Sequence, residues 1–205
     1  MSRYCSQCGK AHKACICAEI VPLTSAVELI ILQHPTEEHR PMGTARILNL
    51  SLANCRLWVG EDFRDHAPLN QLLAEPDVVH QVLYPSEHST CISAEVDSSC
   101  QKIRVILLDG TWKKVFKMWQ INTQLHSLPC LHLPETLKGN YRIRKAPNDN
   151  ALSTVEAGFH LLQLWQPKQD FSPLLNAFEA MIDYQIQQMP KGVFERHYSN
   201  GKSTL

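Results

Sequence analysis

Ile103-Arg104-Val105-Ile106-Leu107-Leu108-Asp109-Gly110-Thr111-Trp112-Lys113-Lys114 runs from an apolar stretch into a polar turn and then into a helical period. The reading is a strand from Ile103 to Leu108 followed by an amphipathic helix. That places Asp109 and its neighbours at the carboxyl end of a strand, where open α/β sheets bind ligands. Asp-Gly is turn chemistry, and Thr111 can cap the following helix, so an ordinary β-to-α connection accounts for three of the four residues. Trp112 does not fit that explanation as well. A large aromatic just inside the helix stands near the crevice rather than deep in the core.

Outward from this stretch, strand-like and helix-like segments alternate, which implies an α/β fold around a mostly parallel sheet. Val27 to Leu32 is a strand ending at Gln33-His34-Pro35, and a helix starting near Pro41 carries Ala45, Leu48 and Leu52 on one face. Arg56 to Val59 is a second strand, Pro68 to Ala74 a short helix, and Val78 to Tyr84 a third strand stopped by Pro85. After the helix from Thr111 to about Ile121 comes a short strand, Cys130 to Leu133. Lys138 to Asn150 is polar, basic and interrupted by proline, the composition of a loop that could serve as a lid or an RNA clamp. Leu152 to Trp165 is amphipathic, with apolar residues at 152, 155, 159, 162 and 165. Ser153-Thr154-Val155-Glu156 fits a capping box, so Glu156 has a structural explanation equal in weight to a functional one. Phe171 to Gln188 holds a further helix, striped by Phe178, Ile182, Gln185 and Met189.

Cys5, Cys8, Cys15 and Cys17 form C-x2-C-x6-C-x-C within the first seventeen residues. Two close thiolate pairs can converge on a tetrahedral Zn²⁺, a reading placed ahead of disulfides, which a cytosolic setting disfavours, and of an iron–sulfur cluster; four sulfur ligands close the coordination sphere, as in a structural site. Arg3, Lys10 and Lys13 favour the thiolates. Residues 1–22 therefore read as a zinc-binding knuckle and 23–205 as the catalytic domain. Cys55, Cys91, Cys100 and Cys130 are scattered and read as incidental thiols.

The 205 residues carry 20 Lys and Arg against 20 Asp and Glu, which argues against a protein that coats nucleic acid non-specifically. The basic residues are nevertheless clustered, at Arg40 and Arg46, at Lys113, Lys114 and Lys117, and at Lys138, Arg142, Arg144 and Lys145, so one basic face is expected. No stretch is apolar enough to span a bilayer, and the amino terminus lacks a secretory pattern. The expectation is a cytoplasmic protein with no membrane association and no obligate protein partner. The glycines form neither G-x-G-x-x-G nor a P-loop, and H-E-x-x-H and G-x-S-x-G are absent, which disfavours a conventional Rossmann methyltransferase, an NTPase and the common hydrolases.

An ordered set of motifs covers most of the chain. It comprises the cysteine cluster, His34-Pro35-x-x-Glu38 leading to Pro41-x-Gly43-Thr44-Ala45-Arg46, and Leu83-Tyr84-Pro85. Asp109-Gly110-Thr111-Trp112, Tyr141-Arg142-Ile143-Arg144-Lys145 and Leu152-Ser153-Thr154-Val155-Glu156-Ala157 complete it. The set resembles the DTW-domain tRNA-uridine aminocarboxypropyltransferases. The resemblance implies a SPOUT-like α/β fold with a carboxy-terminal trefoil knot and S-adenosylmethionine as donor. It also implies transfer of the 3-amino-3-carboxypropyl group to N3 of a tRNA uridine, at variable-loop position 47 in bacterial members, forming acp3U and releasing methylthioadenosine.

By the same resemblance Asp109, Thr111 and Trp112 are catalytic. Leu83, Tyr84, Pro85, Asp109, Gly110, Trp112, Leu133, Arg144, Ser153, Thr154 and Glu156 contact the donor, and Arg40, Arg46, Lys113, Lys114, Arg142 and Lys145 contact tRNA. The chemistry agrees, because N3 must lose a weakly acidic proton and be aligned with the sulfonium leaving group. Asp109 is either the base or a loop and ligand-binding residue. Trp112 can stack on a base, and Arg142, Arg144 and Lys145 can hold a carboxylate or phosphate. His34, at a strand end before proline, reads as structural before it reads as a base. Glu38, Arg40, Thr44 and Arg46 are an RNA-facing or site-supporting cluster. The competing readings are a SPOUT-type RNA methyltransferase and a non-catalytic zinc-containing RNA-binding module.

Overall fold

The computed structural model describes residues 3–92, 102–137, 139, 152–190 and 193–194. The apolar runs form the centre of a six-stranded sheet in which every pairing is parallel. The strands are β1 (Val27–Gln33), β2 (Cys55–Val59), β3 (Val78–Leu83), β4 (Thr90–Cys91), β5 (Lys102–Asp109) and β6 (Cys130–His132), in the order β2-β1-β5-β3-β6-β4. All seven residues of β1 are buried, as are six of the eight in β5, because helices cover both faces of the two central strands. β4 was not expected from the sequence. It is two residues long, too short to show an alternating pattern.

Helices α1 (Ala45–Ser51), α4 (Thr154–Trp165) and α5 (Ser172–Gln187) lie on one face and pack on Leu29, Ile31, Val105 and Leu107. Helices α2 (Ala67–Leu73) and α3 (Trp112–Ile121) lie on the other and pack on Ile30, Leu32, Val82 and Ile106. The alternation along β1 and β5 sends successive side chains to opposite layers. The chain therefore leaves β1 over one face toward β2, and leaves the adjacent β5 over the other face toward β6. The carboxyl ends of β1 and β5 are a topological switch point, where an open parallel sheet has a crevice.

Two helix starts and one core stripe differ from the sequence reading. α1 begins at Ala45 rather than near Pro41, because Arg40 N donates to Glu37 O at 3.1 Å and Gly43 N to Arg40 O at 3.0 Å, two successive tight turns. α4 begins at Thr154, with Ser153 as its cap. The core stripe of α5 is Leu174, Ala177, Phe178, Met181 and Ile182, so Gln185 and Met189 fall outside it. Gly158 lets α4 touch α1: a Cβ there would sit 2.7 Å from Leu48 Cδ1.

Charge is buried at the amino end of the sheet. Arg104 on β5 is fully buried and donates to Glu28 Oε2 on β1 at 2.8 and 3.0 Å and to Glu75 at 2.9 Å, and Arg56 reaches Glu28 Oε1 at 2.9 Å. Burial alone would raise the Glu28 carboxyl. The hydrogen bonds from Arg56, Arg104 and Lys102 overcome it and hold the group below the ordinary carboxylate value. Among the described residues, no helix is long and apolar enough to cross a membrane. Lys138, residues 140–151 and residues 195–205 lie outside the described residues.

Candidate functional site

A cavity of about 470 Å³ opens at the switch point. Its floor is the carboxyl ends of β3, β5 and β6, with Leu83, Leu107, Leu108 and Leu131 supplying apolar surface. One wall is the segment from Asp109 to Trp112, a second is the turn from Glu37 to Thr44, and a third is Leu152, Ser153 and Thr154 at the start of α4.

Asp109 is the last residue of β5 and is 7% exposed. Its Oδ2 accepts from Gln33 Nε2 at 2.8 Å, its Oδ1 accepts from the Thr154 hydroxyl, and its carbonyl accepts from His34 N at 2.9 Å. Two separate elements, the end of β1 and the start of α4, thus fix the carboxylate, and the backbone bond from His34 holds the strand end beneath it. Thr111 occupies the cap position of α3, but its side chain caps nothing; only its carbonyl enters the helix, accepting from Val115 N at 2.8 Å. The expectation that Thr111 caps the helix is corrected here, and its side chain remains part of the cavity wall. Trp112 is half exposed at the mouth.

The Glu37 carboxylate bridges two cations on the rim, Lys114 Nζ at 2.8 Å and Arg40 Nε at 3.3 Å. At the far side His132 Nδ1 pairs with Ser89 Oγ at 2.9 Å. Tyr84 stacks on Trp119 of α3, with centroids 4.6 Å apart, and this supports the wall from behind. Glu156 completes the capping box: Ser153 N and Oγ donate to its Oε2 at 2.7 and 2.6 Å, and Glu156 N faces Ser153 Oγ at 3.4 Å. Its 3% exposure leaves it behind the wall, and Ser153, Thr154 and Ala157 face the cavity instead.

The structure thus brings together Leu83, Tyr84, Pro85, Leu133, Asp109, Gly110, Thr111, Trp112, Ser153, Thr154 and Arg40. Arg46 lines a smaller adjoining cavity, Lys113 is exposed on α3, and Lys114 is held on the rim by Glu37. Arg142, Arg144 and Lys145 lie outside the described residues. His34 is structural: Nδ1 accepts from Thr36 N at 3.2 Å and Nε2 meets Glu61 at 3.2 Å. The sequence reading did not single out Gln33, Glu37 or His132. A signal existed for Gln33, because it ends the β1 run as Asp109 ends the β5 run.

The four amino-terminal sulfurs lie within 4.8 Å of one another, with Cys5 to Cys17 and Cys8 to Cys15 both 3.7 Å. That is far too long for a disulfide. It matches the edge, about 3.8 Å, of a tetrahedron built on a Zn–S bond of roughly 2.3 Å. Backbone N–H groups of Cys8 and Gln7 at the Cys5 sulfur hold that thiol down at about 6, whereas burial and the neighbouring sulfurs push Cys17 up to about 12. Gly9, at φ +71°, makes the reversal that closes the loop. The cluster is not an isolated appendage. Cys8 and Ile16 join the α1/α4/α5 core, and Lys10 Nζ donates to Pro41 O at 2.5 Å and Gly43 O at 3.3 Å, in the turn that walls the cavity.

The DTW-domain family profile matches residues 2–186. The chain is 30% identical over 190 residues to tRNA-uridine aminocarboxypropyltransferase 2 of Drosophila melanogaster, covering 89% of this chain and 74% of that protein. It is 26% identical over 189 residues to the Mus musculus protein of the same name, covering 89% of this chain and 63% of the relative. It is also 27% identical over 131 residues to tRNA-uridine aminocarboxypropyltransferase A of Arabidopsis thaliana, covering 56% of this chain and 49% of that protein.

Proposed function

Because this chain belongs to the DTW-domain family, we propose that it transfers the 3-amino-3-carboxypropyl group of S-adenosylmethionine to N3 of a tRNA uridine. The observation that supports this most is the fixed Asp109 carboxylate in a half-apolar cavity at the sheet's switch point. N3 attacks the methionine Cγ, the Cγ–S bond breaks, 5′-methylthioadenosine leaves with the bonding pair, and the N3 proton passes to Asp109. Gln33 and Thr154 orient Asp109 for that transfer, so proximity and alignment are built in before the substrates arrive. The apolar floor and Trp112 hold the flat rings. Arg144 takes the donor carboxylate, while Arg40, Arg46, Lys113, Lys114, Arg142 and Lys145 meet tRNA phosphates. Glu156 acts by holding the start of α4, and hence Thr154, in place.

On the same reading Cys5, Cys8, Cys15 and Cys17 hold one structural Zn²⁺, which ties the knuckle of residues 1–22 to the catalytic domain of 23–205. The carboxy-terminal segment threads as a SPOUT-like trefoil knot, a reading the wholly parallel sheet supports. The acceptor is the variable-loop uridine at position 47, and the protein is cytoplasmic. The test is mass spectrometry of nucleosides from unmodified tRNA incubated with protein and S-adenosylmethionine. Acp3U together with methylthioadenosine is the expected result. A methylated nucleoside with S-adenosylhomocysteine would establish a methyltransferase, and no modified nucleoside would leave an RNA-binding module.

A further inference from the structure

Helix α3 exposes two large aromatic residues that its own packing does not use. Its inner face is Val115 and Met118, buried in the layer with Ile30, Leu32 and Ile106, and Trp119 stacks on Tyr84. Trp112 is 50% exposed and Phe116 58%, on the flank that adjoins this buried face and in the same stripe as Trp119. They are four residues apart, so they lie on one helix face about 6 Å apart along the axis. Trp112 also lines the cavity, and Phe116 does not. The aromatic surface therefore begins in the site and continues out of it by one turn.

The charges on this helix are all of one sign. Its sequence WKKVFKMWQI has three lysines and no acidic residue. Lys113 and Lys117 repel at i,i+4 spacing, and Lys113 and Lys114 sit in the first turn, where the macrodipole disfavours cations. Glu61 meets Lys117 at 3.0 Å and Glu37 holds Lys114, while Lys113 has no carboxylate within ion-pair reach among the described residues. Exposed aromatics interleaved with cations are what an unpaired nucleic-acid segment needs: rings for base stacking and positive charge for phosphate.

We propose that Phe116 is a stacking platform for a nucleobase next to the target uridine, with Lys113 and Lys117 on the adjoining phosphates. Acceptor choice then depends on an unstacked, single-stranded neighbour as well as on the uridine. This rests on the transferase reading above and adds a specificity-determining contact to it. A duplex cannot use the platform, because its bases are already stacked on one another.

The test measures dissociation constants for unmodified tRNA and, separately, for S-adenosylmethionine, with wild type, Phe116→Ala, Phe116→Leu and Phe116→Trp, alongside acp3U formation by wild type. Phe116→Ala and Phe116→Leu should weaken tRNA binding about tenfold, whereas Phe116→Trp preserves it and donor affinity is unchanged in all three. Wild-type tRNA affinity in Phe116→Ala or Phe116→Leu overturns the proposal. So does a concentration-dependent dimer that Phe116→Ala makes monomeric, which would assign the face to a second copy of the chain. Absence of acp3U with wild type would overturn the transferase reading instead. A tRNA affinity that still depends on an aromatic at position 116 would keep the platform in that case.

Discussion

Gln33 and Asp109 occupy matching positions on neighbouring parallel strands, and the Gln33 amide donates to Asp109 Oδ2 at 2.8 Å. Each is the last residue of its strand, so the carboxylate is oriented by the sheet as well as by its own turn. Asp109→Asn keeps the shape and removes the proton acceptor. Single-turnover transfer should slow about 10²- to 10⁴-fold while donor affinity changes little. A folded Asp109→Asn enzyme with a near-normal rate at saturating substrates would reduce Asp109 to a loop or ligand-binding residue.

Glu156 and Asp109 should separate cleanly. Glu156→Gln retains an acceptor for Ser153 N and should transfer at close to the wild-type rate. Glu156→Ala opens the capping box and should cost about 0.5–2 kcal/mol in chemical denaturation. A large rate loss in a stably folded Glu156→Gln protein would show that this carboxylate takes part in the chemistry.

Purified protein should contain about one Zn²⁺ per chain by elemental analysis, since the sulfur spacing suits a tetrahedral ion. Replacing Cys5 and Cys8 by Ser should abolish it and loosen the knuckle. Lys10 bonds the turn that walls the cavity, so donor affinity should fall as well. Metal-free protein with intact donor affinity would separate the two sites.

Gly158→Ala should destabilise the fold by about 1–3 kcal/mol, because the new methyl meets Leu48 on α1 at 2.7 Å. Leu48→Ala in the same chain should recover part of that loss. Equilibrium denaturation of the two single variants and the double variant measures the coupling.

The Glu28 cluster should make stability fall in acid. A carboxyl held below its ordinary value of 4.5 contributes stability that is fully present above that value and lost as pH drops through the lower, folded one. Glu28→Gln should cost about 3–5 kcal/mol at neutral pH, because it leaves Arg104 buried beside a neutral partner. It should also flatten the acid limb of a stability profile measured by urea denaturation. An unchanged acid limb would place the titration elsewhere.

The central strands were legible in the sequence because burial on both faces writes itself as an unbroken apolar run, as in Val27 to Leu32. The cysteine cluster was legible because metal geometry constrains spacing. β4 was not, since two residues carry no period, and neither was the start of α1, which the turns at Arg40 and Gly43 delay. Glu37 and His132 went unseen for a different reason. Each is an ordinary polar residue, and what makes it part of the cavity is a neighbour distant in sequence. Lys10 read as a cation beside thiols, whereas its reach to Pro41 and Gly43 exists only once the knuckle has docked.

Glu28 pairs with Arg104 in the same strand alignment that pairs Gln33 with Asp109, five rungs further along. The salt bridge at one end of the sheet therefore acts as a proofreader for the other. Sliding β1 past β5 by a single residue would turn each of these side chains to the opposite layer, stranding a guanidinium in the dry interior while pulling Gln33 away from the Asp109 carboxylate. A misaligned chain is thus penalised before it can persist as a folded but idle impostor, and mutations that relax the Glu28–Arg104 pair should show up as catalytic heterogeneity as well as lower stability.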